Sequence, residues 1–300
     1  MLSILIPIYN FNTVPLVKAL LEQIESAKIP YEIFCLNDAS TAYLEENRLL
    51  FEFPHVRYEI LENNIGRSKI RNLLAQKAHY DWLLFLDADV MPVHANFINH
   101  YLPLLNNDIK VVSGGILYVD EKPEQDRLLR WVYGRKREAL PYELRNKNPH
   151  LSLLTLNFLI HQSVFKKVSF NETIPNLRHE DTLFSYNLMQ QRVPVTHIDN
   201  PVYHLGLDRF ENAMQKEHES LLALKNLIDQ QLIPAEYTKI SRTLDSLRKW
   251  KLVAFIAFLQ KQLRPLFDKN LRSTNPSLFV FDLYRLGYLC QLETNHNSNP

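Results

Sequence analysis

The chain has 300 residues, of which 46% are hydrophobic and 22% charged, a composition typical of a globular protein rather than a disordered or fibrous one. Lysine plus arginine (34) nearly balance aspartate plus glutamate (33), so the formal net charge of +1 gives no support for a nucleic-acid partner. The longest apolar run, Leu252 to Leu259, is far shorter than the ~20 residues that span a bilayer, so no transmembrane helix is expected.

Short apolar runs alternate with amphipathic helical periods in the first half of the chain, and this alternation predicts βα units around a mostly parallel sheet. The predicted strands are Ser3–Ile8, Glu32–Leu36, Val56–Glu62, Trp82–Leu86 and Lys110–Ser113. Helices that cover the sheet are predicted over Pro15–Ile24 and Ser68–Ala78, where apolar residues recur on one helical face. The fold class is therefore α/β.

The pattern changes after residue 118. Tyr118 to His150 is rich in arginine, proline and tyrosine, and so long an excursion inside an α/β domain is typically functional or disordered. Leu151–Ile160 and Pro194–Ile198 are predicted strands, and Glu180–Met189 is a predicted helix. From Phe210 onward the chain is predicted to be helical, which divides it into an α/β domain over residues 1–210 and a C-terminal helical region over 211–300.

Cysteine and glycine usage narrows the class of protein. Cys35 and Cys290 are too few for a disulfide framework, which favours a reducing, cytoplasmic location. The six glycines fit neither GxGxxG nor GxxxxGK(S/T), which argues against dinucleotide-binding Rossmann enzymes and P-loop ATPases. Met1 to Tyr9 lacks a basic n-region and contains Pro7, so it is expected to be a buried strand rather than a signal peptide.

The most informative motif is an apolar strand, Trp82 to Leu86, that is followed directly by Asp87-Ala88-Asp89. Ligands bind beyond the carboxyl ends of the strands in open parallel sheets. Two carboxylates at that edge suit Mg²⁺ or Mn²⁺, which keeps open positions for phosphate oxygens. Such a site could hold the diphosphate of a nucleotide, although a solvated acidic turn after a strand would have the same sequence.

This tripeptide is the last of four motifs that follow one another along the chain: Ser3 to Asn10 (SILIPIYN), Asn37 to Ser40 (NDAS), Asn64 to Asn72 (NIGRSKIRN) and Asp87 to Asp89 (DAD). Together they resemble the family 2 glycosyltransferases of GT-A fold, over about the first 210 residues. The resemblance implies a Rossmann-like, nucleotide-sugar-binding catalytic domain and an inverting enzyme of the hexosyltransferase class. Enzymes of this type commonly build bacterial surface polysaccharides.

The resemblance also implies roles for single residues in binding the nucleotide-sugar donor. Asp38 is expected to accept the imide N–H of uracil, beside a wall formed by Pro7, Tyr9 and Asn10, although a helix cap is the alternative role for Asp38. Arg67 and Arg71 lie one turn apart and are expected to offset phosphate charge, although a surface cation is the alternative role for one of them. Gly66 allows the turn before their helix. The donor is also expected to contact Asp87 and Ala88, while Asp87, Asp89 and His204 are the implied metal ligands. A purely structural histidine is the alternative for His204.

An inverting transferase needs a carboxylate that takes the acceptor hydroxyl proton. Glu180-Asp181 resembles the family's acidic pair at the start of a helix, so Asp181 is the expected base and Glu180 its substitute. Capping of the helix by acidic residues is the alternative. Trp131 and Tyr133 lie among arginines and could stack on an acceptor saccharide or simply pack.

The C-terminal helices carry a separate signal. Between Ser246 and Val280, seven lysines and arginines accompany one acidic residue, Asp268, and the apolar run Leu252 to Leu259. A basic amphipathic helix of this kind can lie on an anionic membrane, here the inner face of the plasma membrane, where lipid-linked saccharide acceptors would be reached. Packing against the first domain or in a homodimer is the alternative.

Two other functions compete with the transferase. A haloacid-dehalogenase-type phosphohydrolase would use Asp87 as its nucleophile, but that motif normally ends the first strand and here three βα-like units precede it. A non-catalytic sugar-nucleotide-binding protein would need Asp38 and Asp87 but not Glu180 and Asp181. The sequence therefore predicts a metal-dependent glycosyltransferase that uses a nucleotide diphosphate sugar, with UDP the expected nucleotide.

Overall fold

The computed structural model describes residues 1–106 and 110–296, which fold as two compact units. The first unit comprises Met1–Val119, Glu138–Asn176 and Glu180–Gly206. The second comprises Asp120–Arg137, Leu177–His179 and the chain from Leu207 onward. The predicted domains, residues 1–210 and 211–300, stay a prediction, and residues 297–300 lie outside the described part of the chain.

The elements follow one another as helices and strands along the whole described chain. The strands are β1 (Leu2–Ile8), β2 (Tyr31–Asn37), β3 (Val56–Ile60), β4 (Trp82–Leu86), β5 (Val90–Pro92), β6 (Val111–Ser113), β7 (Ile116–Leu117), β8 (Asn157–His161), β9 (Thr196–His197) and β10 (Val202–His204). The α-helices are α1 (Val14–Ile24), α2 (Leu44–Asn47), α3 (Arg67–Lys77), α4 (Phe97–Tyr101), α5 (Leu128–Tyr133), α6 (Tyr142–Arg145), α7 (Gln162–Phe165), α8 (Glu180–Gln190), α9 (Phe210–Asp229), α10 (Lys239–Lys249), α11 (Val253–Leu271) and α12 (Leu278–His296). Shorter 3₁₀ turns span Glu25–Ala27, Arg48–Glu52, Leu102–Asn106 and Gln125–Arg127, and a π-helical turn spans Gly134–Glu138.

The first unit is built on a seven-stranded sheet in the order β3-β2-β1-β4-β8-β6-β9. The pairs β3/β2, β2/β1, β1/β4 and β6/β9 are parallel, and β8 runs antiparallel to both of its neighbours. This mostly parallel sheet with flanking helices, followed by helices at the C-terminal end, confirms the predicted fold class.

Helices cover the main sheet on both faces because its central strands are apolar throughout. Along β1, Ile4, Ile6 and Ile8 pack in one core with α1, whereas Leu5 packs in a second core with residues of α3 and α8. Successive side chains of a strand point to opposite faces, so one continuous apolar run supplies both cores. This burial fixes the register of β1 and therefore the edge at which its polar continuation emerges.

One sequence prediction for the second half of this unit was wrong in part. Of the predicted strand Leu151–Ile160, only residues 157–160 belong to a strand, β8 (Asn157–His161), and residues 151–156 form turns and loop. A separate three-stranded sheet, in the order β5-β10-β7, was not predicted. Its strands have two or three residues each, which is too short for an alternation of apolar and polar side chains to be recognised.

The second unit is helical, with apolar clusters among α5, α9, α11 and α12 and among α9 to α12. Partly buried ion pairs reinforce these helices, such as that between the Arg285 Nε atom and the Glu217 Oε1 atom, 2.5 Å apart. Across residues 1–106 and 110–296, none of the helices is both long enough and apolar enough to cross a membrane.

A buried arginine fixes the loop that contains α6 within the first unit. The guanidinium of Arg145 donates to the backbone carbonyls of Leu140, Ser113, Gly114 and Ile198 at 2.8–3.3 Å. It also lies 2.9 Å from Nδ1 of His197, whose Nε2 is 2.9 Å from the carbonyl oxygen of Pro149. His197 is therefore held as a neutral ring that accepts at Nδ1 and donates at Nε2.

This arrangement predicts an acid-sensitive fold. Burial, together with the positive charge of Arg145, lowers the pKa of His197 to about 4. The unfolded chain therefore binds more protons than the folded one between the ordinary histidine pKa of ~6.5 and about 4, so stability falls as the pH falls through that range. We expect the free energy of unfolding in urea to drop by about 2 kcal/mol more from pH 7 to pH 5 in the wild type than in His197→Gln. Equal losses in the two proteins would contradict this assignment.

Candidate functional site

The carboxyl ends of β1, β2 and β4 lie side by side because the three strands are parallel neighbours. Asn10, Asp38 and Asp87 follow these three ends directly or within two residues. The predicted site residues are therefore gathered at the sheet edge where ligands bind in open α/β folds. Ala88 faces the other way, since its side chain is buried in the apolar core.

At this edge, Arg71 of α3 joins the two predicted acidic sites. Its guanidinium donates to Oδ1 of Asp87 at 2.8 Å and to Oε1 of Glu180 at 3.2 Å, over the ring of Phe170. Arg71 is buried, which alone would lower its pKa, but Asp87 and Glu180 outweigh burial and raise it. Arg67 is exposed, whereas Arg71 is buried beside the two carboxylates. The expected role of both arginines in offsetting phosphate charge stays a prediction.

Asp38 organises the turn before α3. It is buried, and its two carboxylate oxygens accept from the backbone N–H groups of Ile65 at 2.7 Å and Gly66 at 3.0 Å. Gly66 has φ +85, a left-handed conformation that favours glycine. Asp38 thus does not cap the segment after Ser40, the alternative considered above. An ionised carboxylate has further acceptor positions, so these two bonds are compatible with a bound base.

The residues after β1 form the next part of the edge. Asn10 has φ +52, and its Oδ1 accepts from the backbone N–H groups of Thr41 at 2.8 Å and Ala42 at 3.1 Å. Asn10 therefore links the loops after β1 and β2 through its side chain. Tyr9 has an exposed ring that is available for stacking, and Pro7 is partly exposed within β1.

Asp89 and His204 form a separate pair. β10 runs antiparallel to β5 and places Nε2 of His204 3.4 Å from Oδ2 of Asp89. The Nδ1 atom of His204 is buried and has no hydrogen-bond partner among the described residues. Gly206 leaves room for the carboxylate, because a Cβ atom there would lie 2.2 Å from Oδ2 of Asp89.

The three predicted metal ligands have different partners. Asp89 and His204 face each other, whereas Asp87 is paired with Arg71. In residues 1–106 and 110–296, no three histidine, cysteine, aspartate or glutamate side chains converge as a metal-binding group. One carboxylate and one imidazole still fit Mg²⁺ or Mn²⁺, because these ions commonly take one or two protein ligands and complete their shell with phosphates and water.

The acidic pair begins α8. Glu180 is mostly buried and held by Arg71, while Oδ1 of Asp181 accepts from the backbone N–H of Thr182 at 2.7 Å. The residue before them, His179, has φ +69, which is uncommon outside glycine. Arg71 therefore constrains Glu180 directly.

The sequence alone did not indicate three contributors. Asn176 accepts from the backbone N–H of Arg67 at the start of α3, and its side chain covers Gly66. Gly206 makes room for Asp89, and the Tyr118 ring lies 5.6 Å from that of His204. A lone asparagine or glycine in a loop carries no pattern from which such a role could be predicted. Tyr133, predicted as an acceptor residue or a packing residue, packs edge-on against Phe281.

Comparison with known proteins gives this arrangement its context. Residues 3–169, more than half of the chain, match the model of glycosyl transferase family 2. A Haemophilus influenzae protein described as an uncharacterized glycosyltransferase is 22% identical over 193 residues, which cover 64% of this chain and 72% of the relative. The family match favours a transferase over the dehalogenase-type phosphohydrolase and the non-catalytic binder.

Solved structures share the fold at low sequence identity. S. aureus TarS 1-349 matches with a TM-score of 0.50 at 17% identity, covering 99% of this chain and 92% of that one. The mannosyltransferase PcManGT from Pyrobaculum calidifontis, in complex with GDP-Man and Mn²⁺, matches with a TM-score of 0.50 at 13% identity, covering 96% and 69%. A longer S. aureus TarS chain is matched over 43% of its length.

The buried position of Arg71 predicts a large and local effect on stability. Arg71→Leu leaves Asp87 and Glu180 without their shared cation, so we expect urea unfolding to show a loss of about 3 kcal/mol. Arg67→Leu, four residues earlier on the exposed side of the same helix, is the matched control and should change stability by less than about 0.5 kcal/mol. Similar losses in the two variants would contradict the bridging role of Arg71.

Proposed function

Because this chain belongs to glycosyl transferase family 2 and is a glycosyltransferase, we propose that it moves a sugar from a nucleotide diphosphate sugar to a saccharide or lipid-linked saccharide hydroxyl. The observation that carries the proposal is that Asp38 and Asp87 lie at the carboxyl edge of the sheet and that Arg71 links Asp87 to Glu180 at the start of α8. The donor is proposed to be UDP-linked, the metal Mg²⁺ or Mn²⁺, and the transfer inverting. Surface-polysaccharide biosynthesis is the proposed setting.

Two structural neighbours support the donor class. TarS 1-349 is known in complex with UDP, and PcManGT in complex with GDP-Man and Mn²⁺. In this chain, the exposed ring of Tyr9 would stack on the base and Asp38 would accept its imide N–H. A uracil base, which has one imide donor, suits the acceptor capacity that Asp38 retains.

A divalent cation would be held by Asp89 and His204, with Asp87 at its side. When bound, the cation would offset the negative charge that develops on the departing diphosphate. The side chains of the protein then have two remaining tasks, which are to hold the donor and to accept a proton from the acceptor. Gly206 supports the first task because it leaves room for the Asp89 carboxylate, which a Cβ atom there would meet.

Asp181 is the proposed base. Oε1 of Glu180 is already engaged by the Arg71 guanidinium at 3.2 Å, so this oxygen is not open to an acceptor hydroxyl. Asp181 follows it in the first turn of α8, where the helix dipole favours a carboxylate. In the proposed reaction, an Asp181 oxygen takes the proton of the acceptor hydroxyl. The hydroxyl oxygen bonds to the anomeric carbon at the same time, and the nucleoside diphosphate leaves from the opposite face of the sugar.

Donor binding should depend on the metal and on Asp89. In calorimetry with UDP and MnCl₂, we expect Asp89→Ala and a chelator each to lower the affinity by at least about tenfold. The control is Asp208→Ala, an aspartate of the second unit that pairs with Lys216. Unchanged UDP affinity in Asp89→Ala and in the presence of chelator would remove the metal role.

Transfer should depend on Asp181 more than binding does. Asp181→Asn keeps the shape of the side chain but cannot take a proton, so we expect kcat to fall at least about a hundredfold while donor affinity stays within about twofold. Turnover is measured as UDP release with the donor that binds best in a panel of nucleotide sugars. Near-normal turnover in Asp181→Asn would assign proton transfer to Glu180 or to another group.

We propose further that one face of α11 docks on the cytoplasmic surface of an anionic membrane. The side chains of Phe255, Phe258 and Leu266 are 56%, 58% and 63% exposed, and the helical period places them on one side of the helix. Lys261 and Lys269 are exposed beside them, and Trp250 is exposed just before the helix. Aromatic and leucine side chains flanked by lysines fit the interface of a bilayer with negative headgroups.

Vesicle binding tests this surface. Co-sedimentation with vesicles should rise with the fraction of phosphatidylglycerol, fall with salt, and drop at least about fivefold in Phe255→Glu. Phe51→Glu, a change of an equally exposed aromatic residue in the first unit, is the control and should bind as the wild type does. Binding that ignores lipid charge, or a dimer in sedimentation that Phe255→Glu dissociates, would assign this face to a second copy of the chain instead.

A further inference from the structure

A buried asparagine joins the two sheets of the first unit. Asn157 begins β8 of the seven-stranded sheet and is almost fully buried. Its Nδ2 atom donates to the backbone carbonyl oxygens of Gly115 and Asn200, each at 3.0 Å. Gly115 directly precedes β7, and Asn200 lies two residues before β10. Since β7 and β10 are parallel neighbours in the three-stranded sheet, one amide group holds the starts of both strands.

The same amide is also anchored to α4. Its Oδ1 atom accepts from the hydroxyl of Tyr101 at 2.7 Å, and the tyrosine is fully buried. Asn157 thus uses both of its amide protons and its oxygen. A buried polar group that loses its partner destabilises the fold, so each of these contacts restrains the groups that it joins.

Asn200 is fixed from a second side. Its own Nδ2 donates to the carbonyl oxygen of Phe97 at 3.0 Å, and its Oδ1 lies 3.0 Å from Nδ1 of His100, both on α4. The packing around it is close. A Cβ atom at Gly114 would lie 2.3 Å from the Asn200 carbonyl oxygen and 2.5 Å from Nδ2 of Asn157. This network therefore has no room for an added methyl group.

The three-stranded sheet carries the Asp89–His204 pair. His204 ends β10, and Asp89 directly precedes β5, to which β10 is paired in antiparallel register. The backbone N–H of Leu205 donates to the carbonyl oxygen of Asp89 at 2.8 Å. Because β10 has three residues, it makes few ladder bonds of its own, and the position of His204 opposite Asp89 depends on how the start of β10 is anchored.

We propose that Asn157 is a positioning residue for the Asp89–His204 pair. It ties the starts of β7 and β10 to β8 and α4, and β10 in turn holds His204 opposite Asp89, the pair proposed to take the divalent cation. The consequence for the cation rests on the proposed function. The restraint on the three-stranded sheet does not depend on any metal or activity.

Hydrogen exchange measures this restraint in the full chain without ligand. The reporters are the amides of Val202 and Leu205, which donate to the carbonyl oxygens of Gly115 and Asp89. In Asn157→Ala, we expect both amides to exchange about tenfold faster, because two buried hydrogen bonds at the starts of these strands are lost.

Three further variants sharpen this measurement. Tyr101→Phe leaves both Nδ2 bonds in place, so the two reporter amides should exchange less than about threefold faster. Asn47→Ala removes another buried asparagine of the first unit, one that holds the loop after β1, and should leave them unchanged. Asn157→Ser serves if Asn157→Ala does not fold. A hydroxyl has one proton and cannot donate to both carbonyls, so the same amides should respond.

Mn²⁺ binding, followed by electron paramagnetic resonance in the presence of UDP, supplies a readout that general destabilisation would not move. Asn157→Ala should lower the Mn²⁺ affinity at least about fivefold, because a displaced imidazole or carboxylate no longer meets the ion. Asn47→Ala should keep the wild-type affinity.

Three results would overturn the proposal: unchanged exchange of the reporter amides in Asn157→Ala, equal effects of Asn157→Ala and Asn47→Ala, or faster exchange in Asn157→Ala with unchanged Mn²⁺ affinity. If the wild type binds no Mn²⁺ while exchange responds as expected, the proposed metal role fails and the restraint by Asn157 stands.

Discussion

The arrangement at the carboxyl edge of the sheet depends on one buried cation. The guanidinium of Arg71 lies between Asp87, which follows the central strand β4, and Glu180, which begins α8. Two carboxylates that approach each other in a partly buried place repel one another and pay for lost hydration, unless a cation with several donors lies between them. Arginine meets this need because its planar group donates to both at once. The chain thereby joins two acidic motifs that are about ninety residues apart in sequence.

This constraint gives the carboxylates of the site different tasks. Asp87 and Glu180 are held by Arg71, Asp38 by the backbone of the turn before α3, and Asp89 faces His204 across the smaller sheet. Glycosyltransferase chemistry needs a donor site, neutralisation of a leaving diphosphate and a proton acceptor. Residues that are held in this way keep the shape of such a site, and Asp89 and Asp181 are the ones proposed to meet the metal and the acceptor.

The sequence was a good guide where burial decides the structure. β1, β2 and β4 are buried on both faces, so their apolar runs identified them within about a residue, and the polar residues that follow them lie at one edge. Where single polar contacts hold the chain, the pattern of apolar and polar residues in the sequence did not predict the structure. The short strands β5, β7 and β10, the cover that Asn176 gives to Gly66 and the partners of Arg71 all depend on tertiary contacts between distant residues. Spacing places Arg67 and Arg71 one turn apart, but it does not show that Arg71 is buried and Arg67 exposed.

A double-mutant cycle tests the central interaction most directly. Arg71→Met is combined with Glu180→Gln in one cycle and with Asp87→Asn in another, and the free energy of unfolding in urea is measured for every variant. The bridging arrangement predicts coupling energies of about 1–3 kcal/mol in both cycles. The same cycle between Arg67 and Glu180 should give a coupling energy near zero. Additive effects of Arg71→Met with both partners, within about 0.5 kcal/mol, would contradict the claim that this guanidinium holds the two acidic sites together.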